Sequence, residues 1–123
     1  MPKYLMLIVE DEAEFEGGYE AGSPRFNEVM EMHRDFTATV EKSGAKILGG
    51  EALLPVATAT FLRKTRTSDV AAVDNPAPDL KEVLGGYYLI EAADDAQARE
   101  LAEQCPAPEG YIELRPIWDI PSS

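Results

Sequence analysis

Hydrophobic and polar positions vary along this chain with one of two periods, that of a strand or that of a helix. Short apolar or alternating runs predict six strands, at residues 3–9, 45–54, 58–66, 70–73, 82–91 and 111–118. Two stretches with apolar residues at three- and four-residue spacing predict helices, at residues 23–43 and from residue 94 to Pro106. This order predicts one α+β domain over residues 1–123, a ferredoxin-like antiparallel sheet with two helices on one face.

The first helix has clear signals at both ends. Ser23 can cap the free N–H groups and Pro24 fits the first turn, while Gly44 is expected to end the helix. Its apolar stripe begins at Phe26, and His33 lies on that stripe seven residues later. The only histidine of the chain is therefore predicted to point inward.

The second helix is marked by a capping box and by a buried stripe. Asp94 is followed three residues later by Gln97, and the stripe ends at Cys105, which we expect in the core. A single cysteine cannot form an internal disulfide, so a reducing, cytoplasmic environment is expected.

Two predicted strands carry apolar residues on both of their faces. They contain the runs LMLIV, within residues 3–9, and YYLI, within residues 82–91. The helices can cover only one face of the sheet, so the other face needs a second cover. A second copy of the chain is the simplest source, and a homodimer is expected.

The net charge of the chain makes some classes of binding partner unfavourable. With 23 acidic and 11 basic residues the net charge is −12, which repels nucleic acid and anionic lipid surfaces. No apolar run reaches the roughly 20 residues of a membrane span. Residues 10–16 hold five carboxylates, but their spacing does not match a calcium-binding loop, so we expect an acidic loop and no metal.

The most distinctive segment is DNPAPDLKEVLGGYYLI, residues 74–90. Together with KYLMLI, KSGAKILGGEALLP, TATFLR and YIELRPI, it resembles the YCII-related proteins with the DGPF motif over nearly the whole chain. The resemblance implies a ferredoxin-like protomer that pairs as a dimeric α/β barrel. Where the family reads Asp-Gly-Pro-Phe, this chain has Asp74, Asn75, Pro76 and Ala77, which removes a large apolar contact.

The resemblance also implies a site. In related proteins a histidine of the first helix and an aspartate of this loop are proposed as a catalytic pair, and His33 and Asp74 match those positions. An aspartate bound to one imidazole nitrogen would make the other a better base near neutral pH. Lys81, Glu82 and Arg115 are the expected substrate-binding residues.

Several readings stay open from the sequence. The first is a cofactor-independent enzyme that isomerises a small molecule or eliminates a group from it, with His33 as the base. The second is a non-catalytic dimeric module that binds a small molecule or a protein and regulates transcription machinery, as the resemblance implies. An oxygenase is a weaker third option, because no haem or flavin ligands are evident. His33 could also be a satisfied core residue and Asp74 a turn former.

Overall fold

A computed structural model of the protein describes residues 1–15, 20–64, 70–74 and 82–121. The two α-helices are α1 (Pro24–Lys42) and α2 (Asp95–Gln104). The strands are β1 (Lys3–Asp11), β2 (Lys46–Ala52), β3 (Thr60–Lys64), β4 (Val70–Asp74), β5 (Glu82–Glu91) and β6 (Gly110–Pro116). Single 3₁₀ turns are formed by Glu12–Phe15 and Val56–Thr58.

Four of the strands form an antiparallel sheet in the order β2-β5-β1-β6, and β3 pairs with β4 in a separate hairpin. The predicted α+β, ferredoxin-like class is confirmed, with β1 in the middle of the sheet as its apolar run indicated. Several boundaries differ by two residues or more. β1 continues through Glu10 to Asp11, and β2 ends at Ala52, two residues early. A 3₁₀ turn replaces the expected start of β3, and β6 ends at Pro116. The turn predicted at 68–69 lies outside the described residues.

Both helices begin at the predicted caps. The Ser23 hydroxyl accepts a hydrogen bond from the Phe26 N–H at 3.2 Å, and the Asp94 carboxylate accepts one from the Gln97 N–H at 2.9 Å. Gly44 follows α1 with φ +88°, a left-handed conformation that glycine adopts without strain. Residues close in sequence therefore set the ends of α1 and the start of α2.

The core lies between the helices and one face of the sheet. Alternate residues of β1, namely Tyr4, Met6 and Ile8, are buried there. They pack with buried residues of both helices and β5: Phe36, Val40, Ile90, Ala98, Leu101 and Cys105. Full burial of one such large apolar side chain contributes about 1.5–3 kcal/mol. Cys105 is thus a core residue, as expected, and burial raises the pKa of its thiol to about 12.

The opposite face of the sheet carries no helix in the described chain. Leu5 and Leu7 of β1 and Leu89 of β5 are half-buried on it, and Leu84 is 46 % exposed. This is the apolar face for which the sequence predicts a second copy. Within the described residues, no helix is both long enough and apolar enough to cross a membrane.

Candidate functional site

A cavity of about 370 Å³ lies between α1 and the sheet, beside β2 and β5. Its walls are mostly apolar, and its polar side chains come from α1, β1, β5 and the turn after β1. The apolar lining includes Ile8, Phe26, Val29, Met30, Leu54 and Val83. The polar lining includes Glu10, Glu12, His33 and Tyr88. An apolar pocket with a few convergent polar groups is the usual form of a small-molecule site.

His33 is half-buried in the wall of this cavity. Its Nδ1 lies 2.6 Å from the Tyr88 hydroxyl, and the two ring centroids are 5.7 Å apart at 39°. Burial lowers the pKa of the imidazole below its ordinary 6.5, because a charged ring is poorly solvated there. At neutral pH the ring is therefore uncharged, as a general base must be.

Tyr88 is held in place by β5 and by its neighbours. It pairs with Met6 of β1 and with Gly50 of β2, and its ring packs on Phe36 with centroids 5.0 Å apart. Burial raises the pKa of Tyr88 to about 12, so its hydroxyl keeps its proton. A Cβ at Gly50 would lie 2.9 Å from Tyr88 Cδ1, so glycine is what leaves room for the ring.

Two glutamates of the lining differ in their bonding. Glu12 Oε1 accepts a hydrogen bond from the Val56 N–H at 2.6 Å, which ties the 3₁₀ turn after β1 to the turn after β2. Glu10 Oε2 is buried and has no hydrogen-bond partner in the part of the chain that is described. Burial raises the pKa of Glu10, opposed by a hydrogen bond from the Glu109 backbone and by the charge of Arg25.

The residues predicted for the site have different places in the structure. His33 lines the cavity, and Asp74 ends β4 opposite Thr60, with its side chain outside the description. Lys81 lies outside the described residues. Glu82 is exposed at the start of β5. The contact between His33 and Asp74 stays a prediction.

Arg115 is exposed on β6 and forms an ion pair with Glu113 on the same strand face. Neither Arg115 nor Glu82 is among the described lining of the cavity. Their substrate-binding roles also stay predictions.

Tyr88 and Glu10 were missed as site residues. Tyr88 could have been found, because alternation along β5 puts it on the face of Ile90, and a buried tyrosine hydroxyl needs a polar partner. Glu10 opens a run of acids that resembles a solvated loop, but it continues the buried side of β1 after Ile8.

The described residues hold no group of three His, Cys, Asp or Glu side chains arranged to bind a metal ion. The family model for the YCII-related domain matches residues 3–121 of the chain. This match confirms the resemblance drawn from the sequence motifs. No curated protein matches the chain.

Proposed function

Because the chain belongs to the YCII-related family, we propose that it is a cofactor-independent enzyme in which His33 is the general base for a small molecule bound in the cavity. The observation that carries this proposal is the 2.6 Å contact between His33 Nδ1 and the Tyr88 hydroxyl at the cavity wall. This contact leaves Nε2 as the nitrogen that takes a proton from the substrate. A positioned base of this kind contributes roughly 10²–10⁴-fold to a rate.

The proposed base requires the lone pair of Nε2 to be free. Two tautomers of His33 fit the 2.6 Å contact with Tyr88: Nδ1 either donates to the phenol oxygen or accepts the phenol proton. We propose the first, in which the Tyr88 oxygen accepts the proton of Nδ1 and the lone pair of Nε2 remains available.

The reaction class follows from a neutral base in an apolar pocket. Nε2 takes a proton from a carbon activated by a neighbouring carbonyl. In an isomerisation the electron pair moves into the conjugated system and Nε2 returns the proton to another carbon. In an elimination the electron pair expels a leaving group, and the proton passes from Nε2 to solvent. Both reactions need only proton transfer and a site that excludes water.

Asp74 is proposed as a second partner of His33 on the strength of the family resemblance. Nδ1 contacts Tyr88 and Nε2 must keep its lone pair, so Asp74 would act only after Nε2 has taken the proton, when its carboxylate would stabilise the charged ring. Lys81, Glu82 and Arg115 are proposed to contact a polar part of the substrate, as the sequence suggests.

The tautomer can be tested directly because the chain has one histidine. Long-range ¹H–¹⁵N spectra should show a neutral ring protonated at Nδ1 near pH 7. The variant Tyr88→Phe should shift the ring towards the Nε2–H form, whereas the exposed Tyr111→Phe should leave it unchanged. A wild-type ring protonated at Nε2 would contradict the proposed tautomer.

Catalysis can be tested by proton exchange with solvent. The protein is incubated in D₂O with a panel of small cyclic enones and β-substituted ketones, and deuterium incorporation is followed by NMR. His33→Gln should lower exchange by at least about 100-fold, while Arg34→Gln, exposed on the same helix, should not. Ligand binding without exchange in the wild type would favour the non-catalytic binding module.

The partner of the helix-free sheet face is proposed to be a second copy of the chain. Half-buried Leu5, Leu7 and Leu89 with exposed Leu84 form a continuous apolar surface across β1 and β5. Such a surface is stabilised by removal from water. Light scattering should give twice the 13.5 kDa of one chain. Leu7→Glu should shift the mass towards the monomer, unlike Met32→Glu on α1, and a wild-type monomer at micromolar concentration would refute the dimer.

The protein is further proposed to work in the reducing cytoplasm. The support is its single free thiol, which is buried at Cys105.

A further inference from the structure

We infer that the cavity selects a ligand with an apolar body and one positively charged amine, and that the Glu10 carboxylate binds this amine. The inference rests on the proposed function only in placing the ligand in the same cavity as His33. It adds the chemical class of the ligand and the residue that recognises it.

The first support is the orphaned oxygen of Glu10. Oε2 is removed from solvent and has no hydrogen-bond partner among the described residues. A buried acceptor without a donor costs about 1–3 kcal/mol, and more when it is charged. A donor on the ligand would satisfy it, and an ammonium group would also neutralise its charge.

The second support is the set of residues next to this carboxyl group. A Cβ built at Gly85 would be in ordinary contact with it, 3.9 Å from Glu10 Oε1 and 3.8 Å from the Ile8 carbonyl oxygen. Val83, which pairs with Glu10 across the sheet, also lines the cavity. The carboxyl group therefore faces a wall of small and apolar residues.

The third support is the charge of the surroundings. Glu10 and Glu12 line the cavity, and the described lining contains no lysine or arginine. The charge of Arg25 lowers the pKa of Glu10, and the same guanidinium is hydrogen-bonded to Glu109 at 2.5 Å. An anionic ligand would meet like charges at short range, whereas a cation is attracted.

His33 is compatible with such a ligand. Burial keeps its pKa below the ordinary value, so the imidazole is neutral at pH 7 and does not repel an ammonium group. The cavity of about 370 Å³ is near the lower end of the usual range for ligand pockets, which suits a molecule with one ring.

Three probes with the same phenyl-ethyl body test the inference: 2-phenylethylammonium, 2-phenylethanol and 3-phenylpropionate. Binding is measured for each at pH 7 by ligand-observed NMR and by chemical shifts of the His33 ring. The ammonium probe should bind at least about tenfold more tightly than the alcohol, and the propionate most weakly. Equal binding of the three, or preference for the propionate, would overturn the inference.

Glu10→Gln keeps the size of the side chain and removes its charge. It should bring the affinity for the ammonium probe down to that for the alcohol and leave the alcohol unchanged. Glu100→Gln, exposed on α2, makes the same change in net charge and should preserve the tenfold preference. An undiminished preference in Glu10→Gln would overturn the role of Glu10. If that variant does not fold, the ranking of the three probes on the wild type decides.

The preference for the ammonium probe and the proposed catalysis by His33 can be tested independently. His33→Gln should lose proton exchange and retain the preference for the ammonium probe. A wild type that prefers the ammonium probe but exchanges no protons would overturn the catalytic proposal and leave the role of Glu10 standing.

Discussion

The two ends of β1 face the same helical layer, yet one end is closed and the other opens into a cavity. Near the start of the strand, Tyr4 and Met6 are almost fully buried, and the Tyr4 hydroxyl donates to Asp95 at 2.5 Å. Six residues after Tyr4, on the same strand face, the buried Oε2 of Glu10 has no partner in the described chain. Ile8 lies between them and belongs to both the core and the cavity.

The difference shows how one sheet face can serve stability and chemistry. At the closed end the large side chains pack against one another, and the Tyr4 hydroxyl is hydrogen-bonded. At the open end the helix and sheet leave a space, and His33 and Glu10 line it. Unfilled volume and an unsatisfied oxygen cost stability, and sites of function are where proteins bear such costs.

The largest expected difference between the two ends comes from shortening a methionine at each. Met6→Ala creates a new void in the closed end and should lower the free energy of unfolding by about 2–5 kcal/mol. Met30→Ala only enlarges an existing cavity and should cost less than half as much. Urea unfolding of both variants measures this. Equal losses would show that the open end is packed as tightly as the closed end.

The next comparison uses two adjacent glycines of β2 beside the cavity. A Cβ at Gly50 would lie 2.9 Å from both the Tyr87 carbonyl oxygen and Tyr88 Cδ1, whereas one at Gly49 meets nothing within 4 Å. Gly50→Ala should therefore destabilise the protein by about 1–3 kcal/mol. Gly49→Ala should have little effect, because its site is open. The order is checked by thermal and urea unfolding, and a reversed order would contradict the close approach at Gly50.

The hydroxyl of Tyr88 is expected to matter more than an exposed one. Tyr88→Phe leaves Nδ1 of His33 without its partner and should cost about 1–2 kcal/mol. Tyr111 is 51 % exposed on β6, so Tyr111→Phe should change stability by less than about 0.5 kcal/mol. Urea unfolding at pH 7 distinguishes the two. Similar values would mean that the His33–Tyr88 contact adds no net stability.

The smallest effects are those of pH, and they have opposite signs at two residues of the open end. In the unfolded chain His33 binds a proton near pH 6.5, whereas in the folded protein its pKa is lower. Wild type should therefore lose stability relative to His33→Gln as pH falls through 6.5. In the folded protein the Glu10 carboxyl group keeps its proton to a higher pH than in the unfolded chain. Wild type should therefore lose stability relative to Glu10→Gln as pH rises above 4.5.

Unfolding free energies measured from pH 4 to pH 8 test both signs. If the curves of unfolding free energy against pH were parallel for wild type and one variant, burial would not shift the pKa of that residue.

Much of the fold could be predicted because its signals are local. The period of the apolar residues identified the strands and helices, and Ser23, Pro24 and Gly44 mark the ends of α1. His33 was expected to point inward from its helical spacing alone, and the structure places it on the inner wall.

The partner of His33 could not be predicted in the same way. Tyr88 is 55 residues away, and the contact depends on where β5 lies against α1. The sequence also separated Glu10 from β1, because a run of carboxylates hides the alternation that continues through the strand. Long-range register decides both points, and no local pattern encodes it.

The extra residue at Gly85 has a consequence for how this protein can change. Ile8 pairs with Gly86 and Val9 with Leu84, so Gly85 is a bulge, and the chain before it is shifted by one position. Val83 is turned inward and Leu84 outward as a result. One extra residue in β1 between Ile8 and Val9 would give Gly85 a partner and remove the bulge. The faces of Val83 and Leu84 would then be exchanged, and the larger leucine would point into the cavity. A change in chain length, with no side chain replaced, would thus alter what the protein binds.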